Sequence, residues 1–272
     1  MAIPSINLTS GNNIPQIGLG TWQIKDREEG IKTIKLALES GYRHIDSAQF
    51  YENEQLIGEV IEKSNIPRQD IFITTKISIS NLAPDKIDQS FKESLRKLRT
   101  NYVDLLLIHY PVTEHRKSAW RKLEEIYNNG QAKSIGVSNY TIRHLEELLK
   151  DCRIKPVINQ VELHVYLQQP DLVKYCLDHD IAIAAYSPLA HGHGLDNPIL
   201  ENIAKKYSKT PAQIMIRWCI EKGLIPLPKS THENRIKQNI DIFDFSLSID
   251  DMNQLSKLDE DLRVCWDPTN TP

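Results

Sequence analysis

Four residues of complementary acid–base type each follow an apolar run within the first 109 positions. They are Asp46 and Tyr51 in GYRHIDSAQFYENE, Lys76 in IFITTK and His109 in VDLLLIHYP. A free phenol titrates near ~10 and a free lysine near ~10.4. An ammonium beside a phenol stabilises phenolate and so lowers the phenol's pKa, and a carboxylate beside the ammonium keeps it charged and in place. Proton donors work best when their pKa approaches the working pH, so this set describes a tyrosine tuned to release its proton. Such a device suits reduction of a carbonyl, whose oxygen must gain a proton as hydride reaches the carbon. His109 could orient the carbonyl or share the proton, and its residue type leaves both roles open.

Residues so far apart in sequence share a site only if the fold gathers strand ends. The chain alternates helical stripes with short, nearly continuous apolar runs. Ile31, Ile34 and Leu38 form one stripe, closed by Gly41, and Ile87, Phe91, Leu95 and Leu98 form another. The runs are 17–19, 42–45, 71–73, 103–108, 135–137, 157–161, 181–185 and 224–227. Strands buried on both faces read this way and belong to parallel sheets covered by helices. Eight of them in 272 residues predict one domain, residues 1–272, folded as an α/β (β/α)8 TIM barrel, which takes roughly 250 residues. An open doubly wound sheet is the rival, but it would want a G-x-G-x-x-G turn after an early strand, and none occurs. The opening segment, 6–17, carries Gly11-Asn12-Asn13 between apolar stretches and reads as a β-hairpin that plugs the barrel bottom.

Composition narrows the partners. A net charge of -3 gives no basic surface for nucleic acid or membrane. No run approaches the roughly 20 apolar residues of a bilayer span. No N-terminal stretch has the build of a secretory signal, so a cytoplasmic location is expected. Cys152, Cys176, Cys219 and Cys265 form no C-x-x-C pair and read as reduced thiols rather than a zinc site. Without a secretory signal, the sequons at Asn7 and Asn139 read as chance matches. His191 and His193 in AHGHG lack a further nearby ligand, so no metal is expected, and the glycines there suit a loop folding over a ligand. Asp104 precedes its strand and reads as structural, Trp218 as core.

Several stretches then occur in an order that carries a family resemblance: IGLGTW, GYRHIDSAQFYENE, TTK, LLLIHYP, KSIGVSNY, NQVELH, AYSPLA and LPKSTHENRIKQN. From about Ile14 to Pro268 the chain resembles the aldo-keto reductases. The resemblance implies NADPH-dependent reduction of aldehydes and ketones, with Tyr51 as proton donor and Asp46, Lys76 and His109 completing a tetrad. It implies that Ser138, Asn139 and Gln160 hold the nicotinamide carboxamide and that Tyr186 stacks on the ring. Ser187 and Leu189 would lie near the pyrophosphate, with Gly20, Thr21 and Trp22 also at the cofactor. Lys229, Ser230, Thr231 and Arg235 would meet the adenosine 2'-phosphate, and Gln238 and Asn239 the adenine. Two cations with hydroxyls at the start of a predicted helix, 231–242, are a sound anion site. An NAD-specific site would place a carboxylate there instead, so NADPH/NADP+ is expected over NADH.

The departures from that pattern shape the substrate expectation. Gln238 stands where glutamate is common, Ser78 and Tyr110 where tryptophan is common, and Val165 where proline is frequent. The stretch between Pro111 and Trp120 is short. Ser78 is expected to open one wall of the pocket and Tyr110 to add a hydroxyl to its rim. Trp22, Phe50, Tyr51, His109, Tyr110 and Trp266 would form the rest. An open, fairly polar pocket for small oxo-aldehydes or keto-sugars is the expectation, by likeness to the short bacterial 2,5-diketo-gluconate and methylglyoxal reductases. A monomer or weak dimer is implied. Alternatives are a non-catalytic NADPH sensor on the same fold, or a barrel enzyme using Lys229 and Arg235 on a phosphorylated sugar.

Overall fold

The computed structural model describes residues 3–272. It opens with two short antiparallel strands, β1 (Ser5–Asn7) and β2 (Asn13–Pro15), turned at Gly11. Eight parallel strands follow: β3 (Leu19–Gly20), β4 (His44–Asp46), β5 (Phe72–Ile77), β6 (Leu105–Ile108), β7 (Ile135–Ser138), β8 (Ile158–Glu162), β9 (Ala182–Tyr186) and β10 (Ile225–Leu227). Each pairs with its neighbour in sequence order. Helices α1 (Arg27–Glu39), α2 (Glu54–Lys63), α3 (Pro84–Lys97), α4 (Arg116–Asn128), α5 (Ile142–Asp151), α6 (Pro170–Asp178), α7 (Pro198–Tyr207), α8 (Pro211–Glu221), α9 (Glu233–Ile240) and α10 (Ile249–Ser256) complete the alternation. The (β/α)8 reading and its N-terminal hairpin are both present.

The seam between the first and last barrel strands is carried by glycine. Gly18 N–H donates to Pro226 O at 3.1 Å and Gly20 N–H to Pro228 O at 3.0 Å. A side chain at Gly20 would put its Cβ 2.7 Å from the Leu227 carbonyl oxygen. Only a residue without Cβ lets the two backbones approach that closely.

Strand side chains alternate between two cores, as a period of two requires. Along β6, Leu105 and Leu107 join an interior cluster with Phe72, Ile158, Ile225 and Leu227, while Leu106 and Ile108 face the helices. Leu8 and Ile14 of the hairpin segment belong to the interior cluster, so the hairpin packs onto the barrel's inner core as expected.

Most boundaries differ from the sequence expectation by a residue or more, and three of the differences bear on the site. β5 runs on to Ile77 because its polar end is buried and satisfied; Thr75 Oγ1 donates to Glu54 Oε1 at 2.6 Å. β3 pairs with β4 only through Leu19 and Gly20, while Gly18 and Gly20 both give their N–H to the seam. Helix α9 starts at Glu233 rather than Thr231, because the Ser230 hydroxyl accepts the His232 N–H at 3.1 Å and holds a turn ahead of it. Asp104 is structural: it accepts from Arg68 at 2.8 Å and from Ile73 N–H at 3.0 Å. Trp218 is buried in the outer core.

Candidate active site

The barrel delivers the acid–base residues to one end. Asp46 closes β4, Lys76 lies one residue from the end of β5, and His109 follows β6 directly. Tyr51 sits in a short helical turn, Gln49–Tyr51, after β4. Lys76 is fully buried and Asp46 nearly so. An ammonium has three donors, and each finds an acceptor: Asp46 Oδ1 at 2.5 Å, the Ser47 carbonyl at 2.9 Å and the Tyr51 hydroxyl at 3.3 Å. The other carboxylate oxygen, Asp46 Oδ2, accepts from Gln160 Nε2 at 2.7 Å. Arg43, the partner Asp46 would have as an ordinary strand-end carboxylate, instead donates to the Leu38 and Tyr42 carbonyls.

Because the Tyr51 oxygen accepts from Lys76, its own O–H remains to donate into the cavity. The expected lowering of the Tyr51 pKa does not hold. Burial pushes it well above its usual value, and the charge of Asp46 adds to the rise. Burial is the largest cause, and the Asp46 carboxylate that pairs with the ammonium at 2.5 Å opposes phenolate formation. Burial also lowers the Lys76 pKa against the pull of Asp46. His109, whose ring lies edge-on to Tyr51 at 5.7 Å between centroids, is pushed down to about 3 by burial and the Lys76 charge. It is therefore a neutral imidazole near pH 7.

These groups open onto a cavity of about 1100 Å³. Its wall includes Gly20, Thr21, Trp22, Asp46, Phe50, Tyr51 and His109 near the acid–base end. It continues past Ser138, Asn139, Gln160, Tyr186, Ser187 and Leu189 to Lys229, Ser230, Arg235, Gln238 and Asn239. Ser138 Oγ donates to the Gln160 carbonyl at 2.8 Å. Asn139, at φ +63°, donates to the His109 carbonyl at 3.0 Å and accepts from Tyr186 Oη at 2.7 Å. Lys229 and Arg235 are exposed, and the neighbouring acid, Glu233, is engaged by Lys237 at 2.7 Å.

Three expected residues are absent from the wall: Ser78, Tyr110 and Thr231. Ser78 does not itself border the cavity. It is buried, donates its N–H to Gln49 Oε1 at 3.0 Å and bonds Ser80 through its hydroxyl. The Tyr110 hydroxyl does not face the cavity but bonds Thr271 Oγ1 at 2.8 Å. The mouth carries an aromatic rim. Trp22, Phe50 and Trp266 are all exposed on it, and Phe50 meets Trp266 edge-on at 5.8 Å.

Sequence reasoning missed several parts of the wall, among them Thr210, Pro211 and Ala212 at the start of α8. Val264 and Cys265 join it from the C-terminal segment, and His191 stacks on Trp22 at 5.7 Å and 24° across the groove. The residues from Ser187 to Gly194 hold a run of left-handed conformations, at Ser187, Ala190, His191, Gly192 and Gly194. At Gly194 a Cβ would lie 2.2 Å from the Tyr166 hydroxyl. The glycines of AHGHG were the available signal; the strained non-glycine neighbours gave none.

The molecule is thus a (β/α)8 barrel with a buried lysine–carboxylate pair behind a tyrosine that borders the cavity. The Aldo/keto reductase family pattern matches residues 16–260, and the chain belongs to that family of oxidoreductases. It is 46% identical over 267 residues to the uncharacterized oxidoreductase YtbE of Bacillus subtilis (strain 168), covering 97% of this chain and 95% of that one. It is 42% identical to methylglyoxal reductase DkgA of Escherichia coli (strain K12), covering 98% of each. Among solved structures, the Bombyx mori aldo-keto reductase in complex with NADP superposes with a TM-score of 0.92 at 35% identity, covering 97% of this chain and 95% of that one. No described helix is long and apolar enough to cross a membrane.

Proposed function

We propose that the protein reduces aldehydes and ketones to alcohols with NADPH and that Tyr51 supplies the proton. One observation carries the reading: all three Lys76 donors are used within the protein, one of them on the Tyr51 oxygen. That arrangement fixes the phenol and directs its O–H toward the cavity. Asp46 and Gln160 fix the lysine in turn. Neutral His109 would accept or donate one hydrogen bond to the carbonyl and so orient it. Bound NADPH would supply the hydride.

The cavity fits that cofactor. Its wall takes in both Tyr51 and Arg235, and Asp46 is the one carboxylate on it among the described residues. The far end instead offers Lys229, Ser230 and Arg235, two cations and a hydroxyl suited to a 2'-phosphate. An acid to accept the ribose hydroxyl, as NAD sites prefer, is lacking there. Ser138, Asn139 and Gln160 would hold the carboxamide, Tyr186 the ring face, and Ser187 and Leu189 the pyrophosphate. Small oxo-aldehydes, the class named for the Escherichia coli relative, are the favoured substrates. The test is loss of NADPH absorbance with methylglyoxal, repeated with Tyr51→Phe. Retained turnover in that variant would remove Tyr51 from the role.

A further inference from the structure

One buried carboxylate at the barrel mouth has no part in that chemistry. Glu162 ends β8, beside Tyr186 in the sheet register, and is 1% exposed. It does not border the cavity. Its Oε1 accepts the Val264 N–H at 2.7 Å and the His164 Nε2–H at 3.1 Å, and its Oε2 accepts the Cys265 N–H at 3.1 Å. Two consecutive backbone donors of the C-terminal segment are thus held by one side chain about a hundred residues away. The Glu162 carbonyl accepts from Gln169 Nε2 at 2.6 Å, and Gln169 Oε1 accepts from Arg263 at 3.1 Å. Burial works to raise the Glu162 pKa, yet the hydrogen bonds from His164 and Val264 hold it below the usual carboxylate value. A charged acceptor makes the stronger clamp.

The next residue is Trp266. It is 53% exposed, so burial alone does little to fix its indole. Its ring lies edge-on to Phe50 at 5.8 Å and to Tyr110 at 6.3 Å, and Phe50 in turn lies edge-on to His109 at 6.2 Å. Beyond it the segment is tied down again. Tyr110 bonds Thr271 Oγ1 at 2.8 Å, and the Thr271 carbonyl accepts from His144 Nε2 at 3.0 Å and from Arg143. The Thr141 N–H donates to His144 Nδ1 at 3.2 Å, which places the ring proton on Nε2, facing Thr271.

We infer that Glu162 is a positioning residue: it seats the backbone before Trp266 so that the indole forms a fixed aromatic wall, which adds grip for those carbonyls that bear an aromatic group and is out of use for the smallest ones. His144 and Arg143 secure the far side of the same strap from α5. The inference rests on the reductase reading for its kinetics but not for its geometry.

The experiment uses the full chain with NADPH and two probes, methylglyoxal and nitrobenzaldehyde. Glu162→Gln sets an amide donor against a backbone N–H and loosens the clamp. The KM for nitrobenzaldehyde should rise about tenfold with kcat held within about twofold, and methylglyoxal should shift by less than about twofold. In a Trp266→Leu background, Glu162→Gln should have no further effect on selectivity, because the coupled group is gone. Trypsin cleavage after Arg263, followed by mass spectrometry, should be several-fold faster in Glu162→Gln than in wild type. If Glu162→Gln fails to fold, Arg143→Met, on an exposed side chain, must still shift selectivity the same way by about twofold. Equal loss of kcat on both probes would overturn the inference. So would unchanged selectivity and unchanged cleavage. If wild type turns over neither probe, the reductase reading falls, and the cleavage rates alone decide whether Glu162 holds the strap.

Discussion

The two ends of the cavity handle positive charge in opposite ways. At the barrel mouth, Lys76 is fully buried and each of its donors has a partner inside the protein. At the far end, Lys229 and Arg235 are exposed, and the adjacent Glu233 is engaged by Lys237. A buried charge left unpaired costs several kcal/mol, so the reacting end must be internally complete before any ligand arrives. A solvated cation has no such requirement and can leave its pairing to an incoming anion. One end is built to hold a phenol still, the other to attract a phosphate.

The largest effects should come from breaking the complete end. Tyr51→Phe keeps the ring and should lower turnover by about 10³-fold, within the range for loss of a general acid, while NADPH binding changes by less than about twofold. Fluorescence titration with NADPH and a steady-state assay separate the two quantities. Lys76→Met leaves Asp46 buried beside only Gln160. It should cost about 3–5 kcal/mol of stability, read from urea midpoints, and most of the activity as well. A variant of wild-type stability would show that the pair is not a strained buried charge.

The open end should respond more gently. Arg235→Ala should weaken NADPH about tenfold to a hundredfold and leave NADH within about twofold, since only the phosphate contact is lost. Equal losses for both cofactors would place Arg235 elsewhere on the nucleotide.

A graded effect sharpens the comparison through pH. Burial and the Lys76 charge push both His109 and His44 down to about 3 from 6.5. Their folded pKa lies below the unfolded value, so the unfolded chain takes up the proton first as pH falls. Their contribution to stability is complete above about pH 6.5 and is lost down to about pH 3, at about 1.4 kcal/mol per pH unit for each. Urea midpoints between pH 7.5 and pH 5 should fall accordingly, with a shallower slope in His44→Gln. Activity in that window should show no step from His109.

Much of the complete end was legible in the sequence because each part lies beside a strand run. Asp46, Lys76 and His109 each mark a strand's C-terminal end, and a parallel barrel brings such ends together. The direction of the Tyr51 pKa was not legible. Residue types place an ammonium and a carboxylate beside the phenol, but they do not show how deeply the phenol is buried, and burial dominates. Ser78 was misplaced because spacing from Lys76 says nothing of which way a turn points; its amide is tied to Gln49. The strap from Arg263 to Thr271 was invisible for a different reason. It has no periodicity, and its fixing points, Glu162, His144 and Tyr110, lie at least about a hundred residues upstream.

The most direct measurement mixes the wild-type protein with NADPH and a panel of small carbonyls that includes methylglyoxal and an aromatic aldehyde, and follows loss of the cofactor's absorbance. The account predicts turnover of several members of the panel, dependent on NADPH and nearly abolished in Tyr51→Phe. Tight NADPH binding with no turnover of any carbonyl would contradict it and would make the complete end a structural feature of a nucleotide sensor.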